Sequence, residues 1–525
     1  MIKLTHNKGF NWYNSGKIWV KGVFFDNTGN IYHNDLMPEY FKKADTFNAF
    51  VSILKQCNGI FSVIIESGDE IWVAVDRNIS FPLFYNTIDN EIVISDDTEF
   101  LINKSGNIKI NKLQKSLYRS LGYTVGSSTL IENIYQIENA QAIRFNKEEI
   151  ADKVFYHLFS VKTFNDKPEN ELFKEGINAF ENSITRLIKS LNGRTAVVPL
   201  SGGFDSRWIA AALKKHNYKN VICFTYGKQE NNPDLPISKK VAGQLGYKWI
   251  FIEYNKKEFA DFAESQIFND YINYSAHLTS MFFLQEYFAV KYLKEKNIIP
   301  VDSVFIPGHS GDLIGGSQII KVFDNNLNIN EISSVFIKKK SLFKKLTKQD
   351  KNQLKKYINN KIAPVKNNIS TTVFEEIDIR EKISKMIFNS SLVFDFFGYE
   401  KRFPFWDLEL LNFFLSLPFE QREMKKLYDR ILIEKYFKPL NVYFEEELQP
   451  TKKQLIIQHI KNSIKLVLPL PLKLKLLKKS DWKNYHDATM MLYNIMKSNG
   501  HNIKFTGNSF NEILIEYYFY LISKK

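Results

Sequence analysis

An alternation of short apolar runs and helical periodicities between residues 172 and 253 restricts the fold more than any other feature of this chain. Residues 172–191 place Phe173, Ile177, Phe180, Ile184 and Leu187 on one helical face. Residues 195–200, Thr-Ala-Val-Val-Pro-Leu, are a short apolar run leading directly into Ser-Gly-Gly-Phe-Asp-Ser at 201–206. A second helical face follows through Ile209, Ala212, Leu213 and His216, then a strand at 221–226, a helix at 237–245 and a strand at 249–253. Short apolar strands separated by helices imply a parallel sheet covered by helices. Beyond Ala260 the pattern is mostly helical, and no repeat with a period of roughly 20–50 residues is present.

The first 156 residues read differently. Residues 59–65, 71–75 and 91–95 are strand candidates, separated by turn signals at 67–69 and 88–90. Strands with short connections predict a stack of sheets rather than βαβ units. The polar stretch 163–170 reads as a linker, and 525 residues are enough for two domains or three. A hydrophobic fraction of 44% rules out disordered and collagen-like classes. A net charge of +14 favours anionic ligands without choosing among nucleotide, nucleic acid and membrane surface. Cys57 and Cys223 offer neither a disulfide framework nor zinc spacing, so a reducing cytoplasm is the expected compartment. The start of the chain lacks an apolar core of signal-peptide length, and no apolar run approaches ~20 residues, so the expectation is a soluble protein. The Lys-rich segment 337–356 reads as a solvated amphipathic helix. Segment 466–476 leaves weak contact with an anionic membrane surface open, although its prolines argue against a regular helix. No nucleic-acid-binding module accompanies the basic balance.

The chemistry concentrates at 200–206. Gly202 and Gly203 let the backbone turn tightly, Ser201 and Ser206 add hydroxyls, and the following helix contributes its N-terminal end. Together these make a phosphate cradle, distinct from a Walker loop because no Lys follows its last glycine. A carboxylate in an anion site needs a reason, and Asp205 has one as a Mg²⁺ ligand beside phosphates.

Ser-Gly-Gly-x-Asp-Ser between these elements resembles the pyrophosphate-loop ATPases that cleave ATP between its α and β phosphates, and most closely the asparagine synthetase and β-lactam synthetase family. Gly308, Gly311, Asp312, Gly315 and Gly316 match that family's second glycine-rich motif, and Glu400, Arg402, Pro404 and Asp407 match a third. Asn58, Gly59, Asp76, Arg77 and the run 82–85 are similar to core strands of class II glutaminase domains. The resemblance implies a mixed α/β and α+β protein. Residues 1–160 would be an Ntn-hydrolase-like domain of stacked antiparallel sheets. Residues 171–525 would be a parallel-sheet pyrophosphate-loop (adenine nucleotide α-hydrolase-like) domain with added helices. It also implies ATP and Mg²⁺ as ligands, Asp205 and Asp312 as metal ligands, Gly308 at the nucleotide, and adenine resting near Leu200, Phe224, Thr225 and Tyr226. Arg402 and Asp407 would form an ion pair pinning helices.

Three departures from the family pattern matter. The glutaminase members need a Cys at the first position, whereas this chain begins Met1-Ile2 and has no Cys before Cys57, which reads as a packing residue. Loss of glutamine hydrolysis is therefore expected. The family's usual Glu is replaced by His309, which paired with Glu400 would form a general-base dyad. Arg207 stands where a second Ser is common, and reads either as a phosphate contact or as a helix-surface residue. Lys452 and Lys453 are candidates by position for the cation that stabilises charge in adenylation, with Lys453 the choice. The expected activity is an ATP-dependent amide ligase that resembles asparagine synthetase and joins a small-molecule carboxylate to ammonia or an amine. A modifying amidotransferase acting on a sugar acid or secondary metabolite, and a non-catalytic scaffold, are the alternatives. No nucleic acid and no stable membrane insertion are expected as partners, and a homodimer is compatible with the sequence.

Overall fold

The computed structural model describes residues 1–106, 108–146, 149–319, 326–444 and 469–524. The sheets are built from sixteen described strands. They are β1 Ile2–Lys3, β2 Tyr13–Ser15, β3 Ile18–Phe25, β4 Ile31–His33, β5 Asn58–Ser67, β6 Glu70–Val75, β7 Phe84–Ile88 and β8 Glu91–Ser95. The remainder are β9 Tyr135–Gln136, β10 Gln141–Phe145, β11 Ile150–Phe155, β12 Ala196–Pro199, β13 Val221–Gly227, β14 Lys248–Glu253, β15 Val304–Phe305 and β16 Glu400–Lys401.

Two sheets organise the N-terminal part. One runs β11-β10-β6-β5-β3-β2, with β4 added to β3, and the other runs β1-β8-β7-β9. Ile64, Val73 and Ile143 of the larger sheet meet Tyr85, Ile92 and Ile94 of the smaller in one apolar layer. The opposite face of the larger sheet carries Val20, Phe24, Phe61 and Val63 against the helices Leu36–Phe41 and Phe47–Gln56. Phe84 and Val93 of the smaller sheet pack on Leu101, Leu117 and Leu121 of the helices Thr98–Ser105 and Lys112–Leu121. The layers thus run helix, sheet, sheet, helix, the Ntn-hydrolase-like stack that the resemblance implied. One pairing departs from the all-antiparallel expectation: β1 lies parallel to β8, Ile2 beside Ile94.

The C-terminal part is built on a five-stranded sheet, β14-β13-β12-β15-β16, parallel throughout. Its strands are apolar on both faces, as a sheet sandwiched by helices requires. Val197, Phe224 and Phe305 point into one core, while Ala196, Val198, Cys223 and Val304 point into the other. The helix Glu169–Leu191 lies on the second face with Trp208, Ile209 and Leu213 of the helix Phe204–Lys215. Two strands escaped the sequence pattern. β15 and β16 pair over only two residues each and lie in the motif segments around 304 and 400, so the sheet itself carries those segments to the cleft.

Two helical expectations need correction. The segment 337–356 is not one solvated helix: Ile329–Lys340 and Lys348–Ile362 are separate, and Lys340 is buried in an ion pair with Asp378 at 2.7 Å. Of the segment 466–476, residues 466–468 lie outside the described residues, and Leu470–Lys479 is helical because Pro471 sits in the first turn, where a missing N–H costs no hydrogen bond. Among the described residues no helix is long and apolar enough to cross a membrane.

Candidate active site

The loop 200–206 leaves β12 at its C-terminal end, where open parallel sheets bind ligands. Leu200 N–H donates to Phe224 O (2.8 Å), and Thr225 Oγ1 donates to Leu200 O (2.8 Å), tying the loop to β13. Inside the loop, Ser201 N–H donates to Ser206 Oγ (3.0 Å) and Gly203 N–H to Ser201 Oγ (3.2 Å), while Gly202 N–H donates to Asp234 Oδ1 (3.0 Å) of the helix Asp234–Leu245. The glycine N–H groups expected to face a phosphate are thus already engaged. The N–H groups of Phe204, Asp205 and Ser206 open the helix Phe204–Lys215, and first-turn donors have no intrahelical acceptor. Arg207 neither sits on the surface nor reaches the cleft. It is fully buried, and its guanidinium donates to Gly202 O (2.6 Å) and Val442 O (3.1 Å), bracing the loop from behind.

Asp205 and Asp312 meet across this loop. The backbone N–H of Asp312 donates to Asp205 Oδ2 and Tyr428 Oη–H to Asp205 Oδ1, both at 2.8 Å. The approach depends on absent side chains. A Cβ at Gly311 would lie 2.6 Å from Asp205 Cγ, and one at Gly308 would lie 2.9 Å from Ser206 N. Burial and the neighbouring Asp312 charge push the Asp205 pKa up to about 7, against those two hydrogen bonds. Two oxygen donors of like charge at the mouth of a cradle are a donor set that suits Mg²⁺.

The cleft above holds about 1460 Å³ of solvent-open space. Leu200, Ser201, Gly203, Asp205, Ser206, Thr225, Tyr226, Gly308, His309 and Asp312 all line it, so the structure brings most of the predicted residues together. Phe224 does not: it is fully buried and packs on Phe305 at 6.0 Å between ring centroids, on the same face of β13 as Tyr226 but two residues further from the strand's C-terminal end.

The expected His309–Glu400 dyad does not form. Glu400 lies on β16 and is held by two arginines, Arg194 Nη1 at 2.7 Å and Arg402 Nη2 at 2.7 Å. Burial alone would raise its pKa, yet Arg402 and Arg194 pull it down to about 2. A carboxylate so satisfied has no role beside an imidazole in the cleft. His309 Nε2 lies 2.9 Å from Ser390 Oγ instead, and burial together with the Lys401 charge pushes its pKa down to about 4. Nor do Arg402 and Asp407 pair with each other. Asp407 caps the helix Leu408–Leu415 and receives Arg186 at 2.6 and 2.7 Å. Lys452 and Lys453 lie outside the described residues.

Several cleft residues carry no motif. Lys483 reaches the cleft from a segment tied to β13, where Lys228 N–H donates to Trp482 O at 2.7 Å. Burial lowers its pKa against the opposing charges of Glu286, Asp234 and Asp481. Glu286 accepts from Tyr226 Oη at 3.0 Å, and its pKa is raised by burial. Lys425 also lines the cleft and pairs with Asp429 at 3.2 Å. Only for Asp234, which opens a helix right after β13, did the sequence offer a positional signal. Cys57 is buried, with its thiol pushed up to about 12 by burial, as befits a packing residue.

Residues 191–440, just under half of the chain, match the family model for asparagine synthase. Asparagine synthetase [glutamine-hydrolyzing] 1 of Bacillus subtilis (strain 168) is 26% identical over 178 residues, covering 32% of this chain and 26% of that protein. The match therefore spans about a quarter of the relative's length. Similar solved structures include an NH3-dependent NAD synthetase from Campylobacter jejuni subsp. jejuni NCTC 11168 (19% identity, 37% of this chain and 74% of that one, TM-score 0.19). The B. subtilis glutamine phosphoribosylpyrophosphate amidotransferase is another (11% identity, 58% and 59%, TM-score 0.19). At these scores they add nothing to the strand order described above. Residues 191–440, which hold the loop 200–206 and both carboxylates, are thus the part of this chain that is similar to the asparagine synthase family.

Proposed function

We propose that the chain is an ATP-dependent, AMP- and pyrophosphate-forming ligase that activates a carboxylate and passes the acyl group to ammonia or an amine. The observation that carries this reading is Asp205 hydrogen-bonded to the Asp312 backbone at the foot of the cleft, beside the N–H groups of the first helical turn. Asp205 and Asp312 would hold Mg²⁺, which when bound supplies positive charge against the phosphates. The first turn of the helix Phe204–Lys215 receives phosphate oxygens, and Leu200, Thr225 and Tyr226 flank the nucleotide. A substrate carboxylate oxygen attacks the α-phosphorus, the bond to the β-phosphate oxygen breaks, and pyrophosphate leaves. The nitrogen then forms a bond to the acyl carbon as AMP departs with the bonding electrons. Lys425 and Lys483, the described cations lining the cleft, would offset charge on phosphate and carbonyl oxygens. The work of the protein here is positioning and charge stabilisation.

A specific observation favours a carboxylate or amine larger than aspartate and ammonia. A second cavity of about 740 Å³ adjoins the cleft through Phe283, Gln285, Trp482 and Lys483. The buried Cys57 supports a nitrogen source other than glutamine hydrolysed by that thiol. The test is AMP and pyrophosphate release from MgATP with aspartate and a panel of larger acids, each with ammonia, glutamine or primary amines. AMP with any pair supports the ligase, and its acid and amine name the substrates. ATP binding without AMP under every condition refutes the ligase, and no ATP binding at all favours a scaffold.

A further inference from the structure

His309 lines the cleft with a single described hydrogen-bond partner, and that partner fixes its chemistry. Ser390 Oγ lies 2.7 Å from Ile387 O, which can only accept, so the one hydroxyl hydrogen of Ser390 is spent there. Facing His309 Nε2 at 2.9 Å, Ser390 can therefore only accept. Nε2 must carry the ring hydrogen and Nδ1 the lone pair. The ring is also held in place sterically. Phe388 stacks on it at 6.2 Å and 29° between planes, and Phe403 meets it edge-on at 5.9 Å. Phe388 and Ser390 belong to the same 3-10 turn, Phe388–Ser391, so one short element both stacks on the imidazole and sets its tautomer.

We propose that Ser390 is a positioning residue that holds His309 as its Nε2–H tautomer, leaving Nδ1 as the acceptor for the proton of the attacking nitrogen. The inference rests on the ligase reading above. As the nitrogen lone pair forms the C–N bond and AMP leaves with the C–O electrons, one N–H proton moves to Nδ1 and from the imidazolium to solvent. The groups that set the charge around the ring are consistent with this. Lys401 on β16 is the charge that acts on the ring, and it is paired with Asp395 at 2.6 Å. Asp205, Asp234, Asp312, Glu286, Lys425 and Lys483 line the same cleft. Burial and the Lys401 charge keep the ring neutral, the form in which Nδ1 carries a lone pair.

The test uses the full chain labelled with ¹⁵N-histidine, with the His309 signals identified by their loss in His309→Asn. At neutral pH the wild-type spectrum should show Nδ1 in the bare, pyridine-type range and Nε2 in the protonated, pyrrole-type range. Ser390→Ala should move both signals towards the tautomer average, and Ser390→Thr should restore them. In turnover, with the acid and amine found active in the AMP assay, Ser390→Ala should slow amide formation roughly three- to tenfold, the effect of one lost hydrogen bond. Carboxylate-dependent exchange of pyrophosphate into ATP should stay at the wild-type rate. A bare Nε2 in the wild type overturns the proposal, as does an unchanged spectrum in Ser390→Ala. A shifted tautomer with undiminished amide formation overturns the base role of Nδ1. Because the spectra need no substrate, failure of the ligase reading would be seen separately, in the AMP assay.

Discussion

Replacing Asp205 by Asn should stabilise the protein at alkaline pH and weaken it at acid pH, a change of sign that follows from the carboxylate pair. The Asp205 carboxyl titrates near 3.8 in the unfolded chain and at about 7 in the fold, raised by burial and by Asp312. The folded state thus binds the extra proton, and stability falls as pH rises from 3.8 to about 7, then stays level. A shift of that size corresponds to about 4 kcal/mol at 1.36 kcal/mol per unit. The variant escapes this penalty but has a cost of its own. Tyr428 can still donate to the amide oxygen, whereas the Asp312 N–H would face an NH₂ group, a loss of about 1–2 kcal/mol. Asp205→Asn should therefore be less stable by about 1–2 kcal/mol at pH 4 and more stable by about 2 kcal/mol at pH 8. Urea midpoints in EDTA at both pH values measure this. Mg²⁺ with ATP should raise the wild-type midpoint and leave that of the variant unchanged. A stability difference that does not move with pH would refute the like-charge account of the pair.

Glu400→Gln should cost roughly 2–3 kcal/mol of stability at pH 7, because Arg194 and Arg402 lose their partly buried counter-charge. The ion pairs themselves contribute fully above the ordinary glutamate value of 4.5 and are lost as pH falls to about 2, which an acid-unfolding series resolves. Lys483→Met should lower MgATP affinity roughly tenfold by titration calorimetry, the loss of one charge-assisted contact, and unchanged affinity would place the phosphates elsewhere. Cys57 and Cys223, both buried with thiols pushed up to about 12, should resist a disulfide reagent in the native protein and react on unfolding. Rapid labelling of Cys57 in the native state would contradict its packing role. His309→Ala should slow amide formation by about 10²–10⁴-fold while leaving carboxylate-dependent pyrophosphate exchange intact, as expected for a proton acceptor that acts after activation.

The parallel sheet and its loop were legible because local signals agree there. Apolar runs such as Val221–Gly227, the glycine turn at 202–203 and the helix that starts at Phe204 each point the same way. Asp205 and Asp312 were legible through motifs, which place carboxylates next to glycines whose missing Cβ atoms allow the contact. What escaped depended on distant partners. Glu400 looked available to His309 because nothing near it in sequence reveals Arg194, whose guanidinium arrives from the residues after the helix Glu169–Leu191. Ser390 and Lys483 carry no local signature, since a serine in a short turn and a lysine near the C-terminus are ordinary in themselves. Phe224 was misplaced along the strand: Tyr226, two residues on and on the same face, reaches the cleft at the C-terminal end of β13, while Phe224 stays in the core.

The most direct test of the central claim is carboxylate-dependent exchange of labelled pyrophosphate into MgATP in the absence of any nitrogen donor. The account predicts exchange with at least one acid of the panel and none in Asp205→Asn. Release of ADP and phosphate in place of exchange, or exchange that survives Asp205→Asn, would contradict it.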